Sequence, residues 1–110
     1  MTKRSAVWHA NLITEVLKDP VSRAEYEAFK LQLELSEKLK VARQAAHLTQ
    51  KKVAEKMATH TPVIARLEAS GSKEQHSPSL VTLVKYANAV GCHLKIDLVP
   101  NKRASKHSHR

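Results

Sequence analysis

The chain has 110 residues, a net charge of +9, one cysteine and two glycines. That length suits one small core with extensions rather than two independent domains. No run of about 18 apolar residues is present to span a membrane, and the lone Cys92 forms no internal disulfide, which fits a reducing cytoplasm.

The basic start lacks the apolar run of a secretory signal, so a cytoplasmic location is expected. Residues 6–18 read as a helix with Trp8, Leu12, Ile13, Val16 and Leu17 on one half of its wheel. Asp19 is placed to cap a second helix that opens on Pro20, where proline lacks only an already unpaired N–H. That helix runs from about Val21 to Ala46 and carries two apolar stripes. Leu31, Leu35, Leu39, Ala42 and Ala46 form a core stripe. Tyr26, Phe29 and Leu33 lie roughly opposite, so either the helix bends near residues 33–36 or its first half meets a partner.

Two short helices follow, at 50–57 and 61–69. Thr49 is placed to cap the first, with Val53, Ala54 and Met57 facing inward. Ala58 to His60 make the turn, Thr61 caps the second helix and Pro62 is its first residue. Ile64 and Leu67 pack inward, while Thr61, Val63 and Arg66 project outward. The polar stretch 70–78 reads as a loop. Ser77 or Ser79 caps a helix over 80–90 that buries Leu80, Leu83, Val84 and Ala87 and stops at Gly91. Leu94, Ile96 and Leu98 then alternate with Lys95 and Asp97 as a strand. A lone strand leaves its backbone unpaired, and the same strand of a second copy, paired antiparallel, would satisfy it. Residues 101–110 form a basic tail, expected to be disordered.

Charge is unevenly placed. Lys40, Arg43, Lys51, Lys52, Lys56 and Arg66 outweigh Glu55 and Glu68 around the two short helices, and the C-terminal tail is basic. Such a surface attracts phosphate and releases counterions on binding, which makes nucleic acid the first partner to consider; solubilising charge is the bland alternative. Two helices around a tight turn, the second facing outward, have the geometry that lays a recognition helix in the major groove. Arg66 can bond guanine in bidentate fashion, Thr61 can bond a base or phosphate, and Val63 can touch a thymine methyl. Pro62 offers only apolar contact.

Residues 39–91 resemble the helix-turn-helix domain of the lambda repressor/Cro (Xre) family through Leu48, Gln50, Ala54, Ile64, Leu67 and Glu68 at that family's spacing, followed by the helix at 79–90. The resemblance implies an all-α, five-helix DNA-binding domain. It implies a phosphate contact for Gln50, base reading by Thr61, Pro62 and Arg66, and backbone contact near Thr59 and His60. Lys51 joins this set, although Lys51, Lys52 and Lys56 also suit a solvated face. Arg43 and Glu68 are paired in many relatives, so Arg43 reads as structural. Glycine is common where this chain has Ala58, and alanine there requires a turn adjustment if its φ is positive.

The order "DPVSRAEYEAF", long helix, helix-turn-helix, "PSLVTLVKYANAVGCHLKIDL" also resembles the Xre-type antitoxins of HigBA-like toxin–antitoxin pairs. That resemblance implies a dimer that represses its own operon on a palindromic operator and neutralises a small RNA-cleaving toxin. Trp8, Leu12, Val16, Tyr26, Phe29 and Leu33 are then candidates for toxin contact, or they pack on each other and on the domain. The organisation expected is an N-terminal helical extension at 1–38, the DNA-binding domain at 39–91, a dimerising strand at 92–100 and the tail.

The seven histidines include no HExxH pair and no Cys/His ligand spacing. Cys92 reads as a small buried residue. No nucleophile–base constellation can be assembled, so neither catalysis nor a cofactor is expected. Besides an antitoxin, a stand-alone phage-type repressor and an interaction protein with a non-binding hairpin fit the residues.

Overall fold

The computed structural model of the chain describes residues 10–12, 14–15, 17–69 and 77–101. Residues 10–12 and 14–15 are helical. After them come α1 (Pro20–Ala45), α2 (Gln50–Lys56), α3 (Thr61–Glu68) and α4 (Leu80–Ala89). The architecture is all-α, as expected.

Helix starts follow local chemistry. The Asp19 carboxylate accepts the Ser22 N–H at 2.9 Å, with Pro20 in the first turn. That bond holds the Asp19 carboxyl below its ordinary range. Thr49 and Ser79 cap α2 and α4 in the same way, accepting from the N–H groups of Lys52 and Thr82.

Helix ends share one device. After α1, α2 and α4 the chain takes a positive φ, at His47 (60°), Ala58 (55°) and Gly91 (80°). Each time the next N–H reaches back five residues: Leu48 to Arg43, Thr59 to Ala54 and Cys92 to Ala87. These are Schellman endings, which satisfy carbonyls the helix leaves open. Only one of the three uses glycine.

The core joins Leu39 of α1, Val53, Ala54 and Met57 of α2 and its end, Ile64 of α3, and Tyr86 and Val90 of α4 and its end. Leu35, Ala42, Ala46, Leu48, Leu67, Leu83 and Ala89 pack around it. Ala54, 2% exposed, lets α2 and α3 approach closely.

Three expectations about burial are corrected. Leu31 is 64% exposed, because the part of α1 that packs on the core begins only at Leu35. Leu80 and Val84 are exposed as well. The inward face of α4 is instead Leu83, Tyr86, Ala87 and Val90, which share a face at spacings of three and four. Cys92 is exposed because it follows the left-handed Gly91 at the helix exit.

The expected strand is not formed. Residues 92–101 have neither helix nor strand, and no described residue of the same chain supplies the ladder a strand requires. Ile96 and Leu98 are exposed and Leu94 is half-buried.

Candidate nucleic-acid interface

The two-helix unit is built around a turn that alanine closes. The Ala58 N–H bonds the Glu55 carbonyl at 3.1 Å, and the Thr59 N–H bonds the Ala54 carbonyl at 2.9 Å. The backbone therefore takes the geometry that favours glycine, and alanine tolerates it at some strain.

The entry to α3 differs from expectation by one position. His60, not Thr61, occupies the cap position, and its side chain makes no capping bond. Thr61 already lies in the helix and Pro62 is its second residue. Proline remains compatible there, since the N–H it lacks falls within the first turn, where no intrahelical partner exists.

Beneath the unit lies a buried carboxylate. Arg43 Nε and Nη2 donate to Glu68 Oε2 and Oε1 at 2.7 and 2.9 Å. Gln50 Nε2 donates to Oε1 at 3.1 Å, and the Tyr86 hydroxyl lies 2.5 Å from Oε2 and 2.8 Å from the Leu39 carbonyl. Arg43 Nη1 also donates to the Leu48 carbonyl at 2.8 Å. The Glu68 side chain is 3% exposed and that of Arg43 12%. Burial alone would raise the Glu68 pKa, but the bonds from Arg43, Tyr86 and Gln50 outweigh it and hold the carboxyl below its ordinary range. Burial first, and then the negative Glu68, push the Tyr86 hydroxyl well above the usual tyrosine value. The Glu68 bond holds the Arg43 guanidinium protonated still more firmly than usual.

This cluster ties all four helices to one charged group and sets how α3 is presented. Arg43 is thus a structural partner. Gln50 donates one amide hydrogen to Glu68, and among the described residues no other side-chain bond engages its second N–H or its oxygen. The sequence reading missed Tyr86; its spacing from Leu83, Ala87 and Val90 was the available signal.

The outward surface holds the other candidate residues. Lys51, His60, Pro62 and Arg66 are exposed, while Gln50, Thr59, Thr61 and Val63 are half-buried. Ala65, absent from the expected set, is exposed on the same side of α3 as Pro62 and Arg66. Lys51, Lys56 and Arg66 make no ion pair among the described residues, whereas Lys52 lies 3.6 Å from Glu55.

On the N-terminal side, Leu12 and Phe29 are exposed, and Tyr26 and Leu33 half-buried. Lys30 Nζ stands 5.7 Å from the Tyr26 ring centre. Trp8 and Val16 lie outside the described residues. Among the described residues, no group of three or more His, Cys, Asp or Glu side chains is arranged to hold a metal, and no helix is long and apolar enough to cross a membrane.

A family model described as helix-turn-helix matches residues 39–96, more than half of the chain. The protein therefore belongs to the helix-turn-helix family, in its lambda repressor/Cro (Xre) branch, and is a DNA-binding transcriptional regulator. Searches of curated proteins and of solved structures returned no match.

Proposed function

We propose that the protein acts as a cytoplasmic, dimeric antitoxin of the HigBA-like kind, a binding protein rather than an enzyme, which represses its own operon and neutralises a small RNA-cleaving toxin. Repression follows from the surface of α3. Its exposed residues carry the Arg66 guanidinium, without an ion pair among the described residues, on a basic two-helix unit, and the buried Glu68 cluster anchors α3 to the other helices. Lys51 and Gln50 are assigned to phosphates, together with Thr59 and His60 at the turn. Thr61, Pro62, Val63 and Arg66 are assigned to base edges. Two copies, joined through Leu94, Ile96 and Leu98, would place two recognition helices about 34 Å apart on a palindromic operator.

The antitoxin part rests chiefly on one observation: the first half of α1 contributes nothing to the core, yet it presents Phe29 and Leu31 to solvent. A shallow groove of about 240 Å³ runs beside it, lined by Ala28, Leu31, Gln32, Leu35, Pro78 and Leu83 among others. An apolar helix face of this kind, continued by the helical residues before Asp19, suits a protein partner. Trp8, Leu12, Val16, Tyr26, Phe29 and Leu33 are the assigned contacts.

Co-expression with the product of an adjoining small reading frame tests the assignment. Rescue of growth by the wild type, lost on Phe29→Asp with the folded protein still present, is the expected result. DNA binding without any toxin partner would favour a stand-alone phage-type repressor instead. Full rescue without residues 1–38 would defeat the contact assignment.

A further inference from the structure

We infer that α3 recognises the 5-methyl group of a pyrimidine beside a guanine, and that Pro62 and Ala65 select it; this rests on the DNA-binding reading above. Pro62, Ala65 and Arg66 stand at spacings of three and four on the exposed face of α3, opposite Ile64 and Glu68, which are 0% and 7% exposed. Pro62 is the middle of the three around the helix, with Ala65 on one side and Arg66 on the other, so that face joins one guanidinium to two side chains that consist of carbon and hydrogen alone. Val63 adds methyl groups at its edge, where it lines a groove with Leu67, Pro78 and Thr82.

The start of α3 also withholds hydrogen-bond donors. Pro62 has no N–H, and the Val63 N–H is engaged by the His60 carbonyl at 2.9 Å. Backbone donors at the mouth of the helix are therefore few, and the side chains of Pro62 and Ala65 can neither donate nor accept, which leaves the polar contacts to Thr61 and Arg66. The stretch formed by Pro62 and Ala65 cannot read the donor–acceptor pattern of a base pair. In the major groove it can distinguish the one apolar group displayed there, the thymine 5-methyl. Arg66 supplies the polar half of the readout by bonding guanine O6 and N7. A half-site then consists of a guanine with thymine at a neighbouring step, and 5-methylcytosine at that step presents the same methyl group.

The test uses the full chain and the DNA upstream of its own gene, with each thymine replaced singly by deoxyuridine. Wild-type protein should lose about fourfold in affinity at one or two positions per half-site, the equivalent of burying one methyl group. In Pro62→Ser or Ala65→Ser, both at exposed helix positions, the thymine-to-uracil ratio at one of those positions should fall to about one, which a general loss of stability would not produce. Tight, sequence-specific binding that ignores every uracil replacement would overturn the methyl readout and leave the DNA-binding reading intact. A uracil effect unchanged in both variants would overturn the assignment to Pro62 and Ala65. Absence of salt-sensitive binding to the thymine-containing DNA would remove both readings together.

Discussion

Glu68 keeps a negative charge in the interior because Arg43, Gln50 and Tyr86 each donate to it. Removing one member of a buried pair leaves the other charge uncompensated, so Glu68→Ala should lower stability by about 3 kcal/mol or more in urea unfolding. The folded-state pKa of Glu68 lies below its unfolded value. Its contribution is therefore complete above the ordinary glutamate range and is lost as pH falls through that range toward the lower folded value. Unfolding midpoints measured between about pH 6 and pH 3 should fall more steeply in the wild type than in Glu68→Gln. Ala58 illustrates the opposite case, a residue that suits its site poorly. With φ at 55°, Ala58→Gly should raise stability by about 0.5–1 kcal/mol without changing the denaturant slope, since relieved strain exceeds the added chain entropy.

At the level of elements, helix beginnings were legible and helix ends less so. Asp19, Thr49 and Ser79 announce their helices because an acceptor side chain before an apolar run satisfies open N–H groups. Of the three left-handed endings, Gly91 was legible from its residue type and Ala58 from the family resemblance, whose members often carry glycine there, while His47 gave no signal; His47 and Ala58 adopt the same backbone because the Schellman bonds and packing override their preference. Periodicity identified the inward faces of α2 and α3, where Val53 and Ile64 are wholly buried. It misjudged Leu31, Leu80 and Val84, because a stripe shows that a face is apolar and not whether anything covers it. Of the proposed reading surface, Pro62 and Arg66 were assigned from position in the motif, whereas Ala65, exposed beside them, was not singled out. The division of α1 has a measurable consequence. Leu39→Ala should cost about 2–5 kcal/mol, whereas Phe29→Ala, in the half that stands clear of the core, should change stability by less than about 0.5 kcal/mol.

At the level of the molecule, apolar surface is exposed beyond the first half of α1 as well: Leu80, Val81 and Val84 along α4, and Ile96, Leu98 and Val99 in the segment after it. Exposed apolar groups of this extent suit association. Under the proposed dimer, Ile96→Asp with Leu98→Asp should convert the protein to monomer in sedimentation equilibrium and weaken operator binding by more than either half-site contact alone. Unchanged dimer mass in that variant would move the interface away from the C-terminal segment. The basic charge, doubled in the proposed dimer, should make DNA affinity steeply dependent on salt, and this offers the most direct test of the central claim. Wild type and Arg66→Ala should be titrated against the DNA upstream of the gene over a series of salt concentrations and guanine substitutions. The account predicts that Arg66→Ala loses about 1–3 kcal/mol on the native site and no longer distinguishes the contacted guanine, while retaining salt-dependent binding. Identical base preference and an identical salt slope in the two proteins would contradict it.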